Sequence, residues 1–170
     1  RWPDTGLRPD RRFVDIWTSL DAGQGVLGYP VAGREGDRLC ARQKFERGYM
    51  LWFDRGDADL VWTAVVPDPA AGSGSTAYRF SDQWPGKPEY WCDEASARAP
   101  IGPKRGFGML WCIYPDIRAG IGYGIEEEVG GPDYPRCESQ LFQGGAIVHN
   151  PLDATFWVFV DDGGWYRFGE

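Results

Sequence analysis

Two stretches of this chain carry the same residues at the same spacing, and any fold must accommodate both. Phe13 and Trp17 stand at i and i+4, as do Phe107 and Trp111. Leu27-Gly28-Tyr29-Pro30 follows the first tryptophan at the distance at which Ile121-Gly122-Tyr123-Gly124 follows the second. The run from Cys40 to Met50 then aligns without a gap with Cys137 to Ile147, matching Gln43 to Gln140, Phe45 to Phe142 and Gly48 to Gly145. A tryptophan-bearing apolar run comes next in each, Trp62 within Val61–Val66 and Trp157 within Phe156–Val160. Both stretches end on aromatic-Arg-Phe, as Tyr78-Arg79-Phe80 and Tyr166-Arg167-Phe168. Such self-similarity marks a repeated supersecondary unit. It divides the chain into a first repeat with its lead-in (1–80), a linker (81–105) and a second repeat (106–170).

Each copy has a local reading. Phe13, Ile16, Trp17 and Leu20 fall on one face of a short helix, with Asp10 placed to cap it and Ala22-Gly23 to stop it. In the second copy Phe107, Leu110 and Trp111 repeat that face, and Pro115 ends the helix or starts another running to about Ala119. Gln43–Glu46 and Tyr49–Phe53 pair as strands about Arg47-Gly48, a part that Gly144-Gly145 plays in the second copy. Val61–Val66 and Phe156–Val160 are β-branched and aromatic, as buried strands require, and Asp161-Asp162-Gly163-Gly164 turns into a last strand, Trp165–Phe168. Pro67–Thr76 is expected to be a loop confined to the first copy. The fold class is therefore α+β, mainly β: two tandem repeats, each a short helix followed by about four antiparallel strands.

Charge and cysteine usage narrow the partners. A net charge of −7 disfavours nucleic acid and anionic membrane surfaces. Glu126-Glu127-Glu128, the longest run of like charge, is expected to be solvated loop. The longest apolar stretch, Thr155–Val160, is far too short to span a bilayer. The sequence opens on Arg1 with no signal-like hydrophobic region, which implies a removed targeting segment or a piece of a longer protein. Cys40, Cys92, Cys112 and Cys137 include no Cys-x-x-Cys pair, and His149 is the sole histidine, so zinc spacing is missing. Two disulfides fit better than buried thiols or a metal and imply an oxidising, extracytoplasmic setting. Cys40 and Cys137 are equivalent positions. The simplest pairing joins Cys112 to Cys137 within the second copy and Cys40 to Cys92 in the linker.

Leu27-Gly28-Tyr29-Pro30 followed by Gln43-x-Phe45-Glu46-x-Gly48-x-Met50-x-Trp52 resembles the LGFP repeat of bacterial cell-wall-associated proteins. That repeat occurs in actinobacterial mycolyltransferases and beside peptidoglycan hydrolases. Phe45–Trp52 and the opening Trp2-Pro3-Asp4-Thr5-Gly6 are more similar still to tandem repeats of secreted and surface proteins of Chloroflexota. The resemblance implies envelope anchoring or adhesion, with a glycan as ligand. The second copy departs from the pattern, with Ile121 for Leu, Gly124 for Pro and His149 where Trp52 stands.

An enzyme needs a site that the residues do not readily supply. His149, beside Asn150-Pro151, is the one candidate base for a nucleophilic triad, but a structural or merely exposed histidine accounts for it better, since Trp52 stands at the equivalent position of the first copy. Asp54, Asp57, Asp59, Asp161 and Asp162 lie in turns, where aspartate is favoured for backbone reasons and offers neither paired carboxylates across a cleft nor an ordered calcium loop. No catalytic residue, cofactor or metal is assigned. A binding role rests on nine tryptophans. Trp17, Trp62, Trp111 and Trp157 occupy repeat-equivalent positions and are expected in the core. The contact candidates break the repeat: Trp52, Trp84 and Trp91, with Tyr90 and Tyr49. The chain is thus expected to be a non-catalytic module for a cell-envelope glycan, or a structural subunit beside a neighbouring surface protein. It is expected to bind no nucleic acid and not to cross a membrane.

Overall fold

The computed structural model describes residues 6–54, 62–67, 77–81 and 84–169. Two antiparallel sheets of five strands dominate, with few and short helices. The contacts divide the chain into two compact units, one of residues 1–38 with 135–170 and one of residues 39–134.

In the first unit α1 (Val14–Ser19) precedes β1 (Glu35–Arg38), and the sheet continues with β7 (Cys137–Phe142), β8 (Gly145–Asn150), β9 (Thr155–Val160) and β10 (Trp165–Gly169) in the order β1-β7-β8-β9-β10. In the second unit β2 (Cys40–Phe45), β3 (Gly48–Phe53), β4 (Trp62–Pro67), β5 (Tyr78–Ser81) and β6 (Val129–Gly130) form a sheet ordered β5-β4-β3-β2-β6. With it go α2 (Asp93–Ser96), α3 (Arg105–Ile113) and α4 (Pro115–Ile121). The expected hairpins, the Trp62 and Trp157 strands and the last strand all form, and Pro115 opens α4 at its first turn, where its missing N–H is no loss. The Pro67–Thr76 loop, apart from Pro67 itself at the end of β4, lies outside the described residues, as do Trp2–Thr5, Asp57, Asp59 and the side chain of Trp62.

The helices do not pack where chain order suggests. Phe13, Ile16 and Trp17 of the α1 segment, with Leu27, share a core with Phe142, Ile147, Phe156, Val158 and Val160, all from strands late in the chain. Phe107, Leu110 and Trp111 of α3, with Ile117 and Ile121 of α4, pack instead on Ala41, Phe45, Met50 and Val65. The physical reason lies between Tyr29 and Arg38. The segment that follows α1 is tied to the late strands: Val31 N–H bonds the Leu141 carbonyl, Gln143 N–H bonds the Tyr29 carbonyl, and β1 pairs with β7.

The same hydrogen bonds secure both arrangements. The Trp17 indole N–H donates to the Gly28 carbonyl at 2.7 Å, and that of Trp111 to the Gly122 carbonyl at 2.8 Å, each eleven residues on. Gln143 N–H reaches Tyr29 O at 2.9 Å, and Glu46 N–H reaches Tyr123 O at 2.9 Å. Val31 N–H to Leu141 O and Ile125 N–H to Lys44 O, both 3.0 Å, complete the match. Gly28 and Gly122 have φ of 65° and 78°, the left-handed region where a side chain is strained, so glycine is favoured at both positions.

One disulfide corrects the expected pairing. Cys92 bonds Cys112, with Cα atoms 6.0 Å apart and a sequence separation of 20, so neither Cys112–Cys137 nor Cys40–Cys92 forms. Cys40 and Cys137 are disulfide-bonded as well. The reason is that the linker is not a passive tether: Ala95 of α2 is fully buried in the same core as Phe107 and Leu110, with Cys92 and Cys112 packed against it.

Candidate functional site

A cavity of about 280 Å³ opens in the second unit. Its sheet wall is Ala41 from β2 and Trp52 from β3, and its helix wall is Arg105, Gly106 and Phe107 from the first turn of α3. Leu39, Trp84, and Glu128, Gly131 and Pro132, which flank β6, complete the lining. β6 reaches this place because it pairs closely with β2, Ala41 opposite Gly130. A side chain at Gly130 would meet the Cys40 carbonyl at 2.3 Å, and φ there is 137°, so only glycine allows the approach.

The walls are apolar and aromatic except at one end. There Arg105 Nη1 meets Glu128 Oε1 at 3.3 Å, with the guanidinium about half exposed and the carboxylate mostly covered. The other carboxylate oxygen, Oε2, is buried without a hydrogen-bond partner. Burial pushes the Glu128 carboxyl above the usual carboxylate range, and Glu89 adds to this, while Arg105 and Lys104 oppose it. Arg105 itself sits in the left-handed region at φ 49°, which costs a non-glycine residue about 1–2 kcal/mol; its N–H is held by the Glu89 carbonyl at 2.7 Å. Such strained positions gather at functional sites.

The elevated pKa of Glu128 fixes a sign. The neutral carboxyl is favoured in the folded chain, so its contribution is complete below the unfolded carboxylate range and lost as pH rises through the folded value. Replacing Glu128 with Gln is therefore expected to raise the melting temperature at about pH 8 and leave it unchanged at about pH 3. A lower melting temperature at the higher pH would mean that the Arg105 pair outweighs burial.

Of the aromatic candidates, the structure brings Trp52 and Trp84 together in the cavity and leaves the others out of its described lining. Trp84 is fixed by its indole N–H donating to the Pro88 carbonyl at 3.1 Å. Tyr49 and Trp52 lie an odd number of residues apart on β3 and so project from opposite faces. Met50 is fully buried while Tyr49 is half-buried, which resolves which of that pair turns outward. Tyr90 leans on the core with Lys104 Nζ 5.8 Å above its ring, and Trp91 keeps its indole nitrogen buried and without a partner. Trp17, Trp111 and Trp157 are buried.

Three lining residues escaped sequence reasoning. Glu128 belongs to the acidic triplet expected to be solvated; Glu126 and Glu127 are exposed, but Glu128 is turned inward beside β6. Arg105 and Gly106 stood at a boundary between linker and repeat, with nothing in their type to single them out. His149 is 4% exposed, and its Nδ1 lies 3.0 Å from Arg12 Nη1. Among the described residues no helix is long and apolar enough to cross a membrane, and no group of three or more His, Cys, Asp or Glu is placed to hold a metal. No family model matches the chain, nor does any curated protein or solved structure.

Proposed function

We propose that the chain is a non-catalytic extracytoplasmic module of two LGFP-like repeats, and that the cavity of the second unit takes one ring of a cell-envelope glycan. The observation that carries this is the pairing of Trp52 and Trp84 around one cavity with Glu128 and Arg105 at its end. Tryptophan offers a large apolar face to the C–H face of a sugar, while the polar end supplies the directional contacts that orient it. The free Glu128 oxygen accepts from a hydroxyl, and the guanidinium beside it donates to the next. A neutral ring suits this end best. An acidic sugar faces Glu128, and an amine faces Arg105. Two disulfides fit an oxidising location.

The test is co-sedimentation of the oxidised protein with purified bacterial cell walls and insoluble neutral polysaccharides. Saturable pelleting is expected, weakened about tenfold by Trp52→Ala. Absence of pelleting with every wall and polysaccharide preparation would sink the reading.

A second reading, a structural subunit docked on a neighbouring surface protein, draws on one observation. Tyr78, Ile113 and Tyr114 are 51%, 52% and 44% exposed, and Tyr114 lies 5.4 Å from the ring of Phe80. Exposed aromatic residues of this kind suit a protein partner.

A further inference from the structure

The position in the repeat that forms the aromatic cavity of the second unit forms a pocket of opposite chemistry in the first. Aligning the copies sets Arg11 against Arg105, Arg12 against Gly106, Arg34 against Glu128 and Glu138 against Ala41. The first of each pair lines the first unit's pocket and the second lines the cavity already described. The pairing of β1 with β7 takes the part of β6 with β2. The first unit's pocket is open, holds about 450 Å³, and is completed by Asp10. Its described lining is charged throughout and offers no aromatic face to a sugar ring.

The charges lie in two layers. Glu138, its side chain 19% exposed, lies underneath and bridges two guanidiniums: Oε2 is 2.6 Å from Arg12 Nη1, and Oε1 is 2.5 Å from Arg34 Nη1. Asp10 Oδ2 lies 3.2 Å from Arg34 Nε, and His149 Nδ1 lies 3.0 Å from Arg12 Nη1. The arginines form the outer layer, with Arg12 and Arg34 side chains 47% and 40% exposed. Arg11 is exposed too, and has no ion-pair partner among the described residues. Three arginines against two acids leave one positive charge in excess, on a chain whose net charge is −7. A metal cation would meet carboxylates already neutralised by arginine. An anion meets donors first. A guanidinium carries five N–H groups, and the contacts of Arg12 and Arg34 leave part of each fork to donate to a ligand. Because Glu138 already holds both forks, little side-chain freedom is lost on binding.

We propose that this pocket binds an oxyanion carried on a sugar, a carboxylate or a phosphate ester, gripped by Arg11, Arg12 and Arg34. The sugar carrier rests on the glycan reading; the preference for an anion does not. Guanidinium forks match the oxygens of both groups. The two repeats then differ in ligand chemistry, since Glu128 stands in the second unit where Arg34 stands in the first.

The experiment titrates the oxidised protein at low ionic strength with glucuronate, glucose 6-phosphate and glucose, following backbone and arginine Nε–H resonances by NMR. Saturable shifts at Arg11, Arg12 and Arg34 are expected with at least one of the two anions, and none with glucose. A response to glucuronate alone assigns a carboxylate, and to glucose 6-phosphate alone a phosphate. Arg11→Gln breaks no ion pair and should weaken anion binding about fivefold, whereas Lys87→Gln, which removes a positive charge from an exposed loop, should leave it unchanged. No saturable shift with either anion would overturn the proposal, as would equal weakening in the two variants. Wall pelleting on the same proteins separates the two claims. Anion binding without pelleting on any wall keeps the pocket's chemistry and removes the glycan; pelleting without anion binding does the reverse.

Discussion

Trp111→Ala is expected to cost about 3–5 kcal/mol, the usual range for emptying a large aromatic from a core. Trp111 is fully buried among Phe45, Met50, Val65, Phe107, Leu110, Ile117 and Ile121. The Tyr123 ring lies 5.6 Å away and the Arg118 guanidinium 5.2 Å from the indole, so no neighbour can collapse into the space cheaply. The substitution also strands the Gly122 carbonyl, which accepts the indole N–H at the exit of α4. Against a total stability of about 5–15 kcal/mol, that loss threatens the whole second unit. Trp111→Phe keeps most of the volume and loses the hydrogen bond, and should cost about 1–2 kcal/mol. Urea unfolding followed by circular dichroism gives both values. Amide exchange gives the location. Protection should fall in β2, β3 and β4, because α3 is seated on them, and persist in β7, β8 and β9. Protection lost first from β7–β9 would mean that α3 packs on the strands that follow it in sequence.

That contrast marks how far the sequence could be read. Strand and helix positions were legible because periodicity and turn residues are local: Pro115 at a helix start, the turn before Gly48, the Asp161–Gly164 turn. Which helix packs on which sheet was not, since Phe13 and Phe107 present the same apolar face and either sheet would accept either. The deciding features are the pairings of β1 with β7 and of β6 with β2, and strands as brief as Glu35–Arg38 and Val129–Gly130 carry no alternating apolar pattern to announce them. Cysteine pairing failed for a related reason. The copies point only to Cys40 and Cys137 as equivalents, whereas Cys92 sits in a linker that supplies a core residue, Ala95. The site was half legible: Trp52 and Trp84 stood out because they break the repeat, while Glu128 hid in an acidic run and Arg105 and Gly106 had no distinguishing type.

The two glutamines of the repeat motif should be unequal in what they hold. Both are 1% exposed, and each side-chain amide joins a strand to two backbone segments that lie far from it in sequence. Gln140 Nε2 donates to the Arg8 and Ala32 carbonyls at 3.0 and 3.1 Å, and its Oε1 accepts from Asp10 N–H at 2.8 Å. Gln43 Nε2 donates to the Ile101 and Glu126 carbonyls at 2.9 and 3.0 Å, but its Oε1 is buried without a partner. Methionine has nearly the same shape and neither donates nor accepts well. Gln140→Met leaves three backbone groups unmade and is expected to cost about 2–4 kcal/mol. Gln43→Met leaves two and removes an oxygen that was already unsatisfied, so about 1–2 kcal/mol is expected. The order is the sharp part. Each amide clamps the segment before a helix and the segment after it onto a strand, so the larger loss should come with earlier proteolysis near Arg8 for Gln140→Met and near Ile101 for Gln43→Met. Equal costs, or cleavage at the same place in both, would mean that the amides fill space rather than fasten each helix to its sheet.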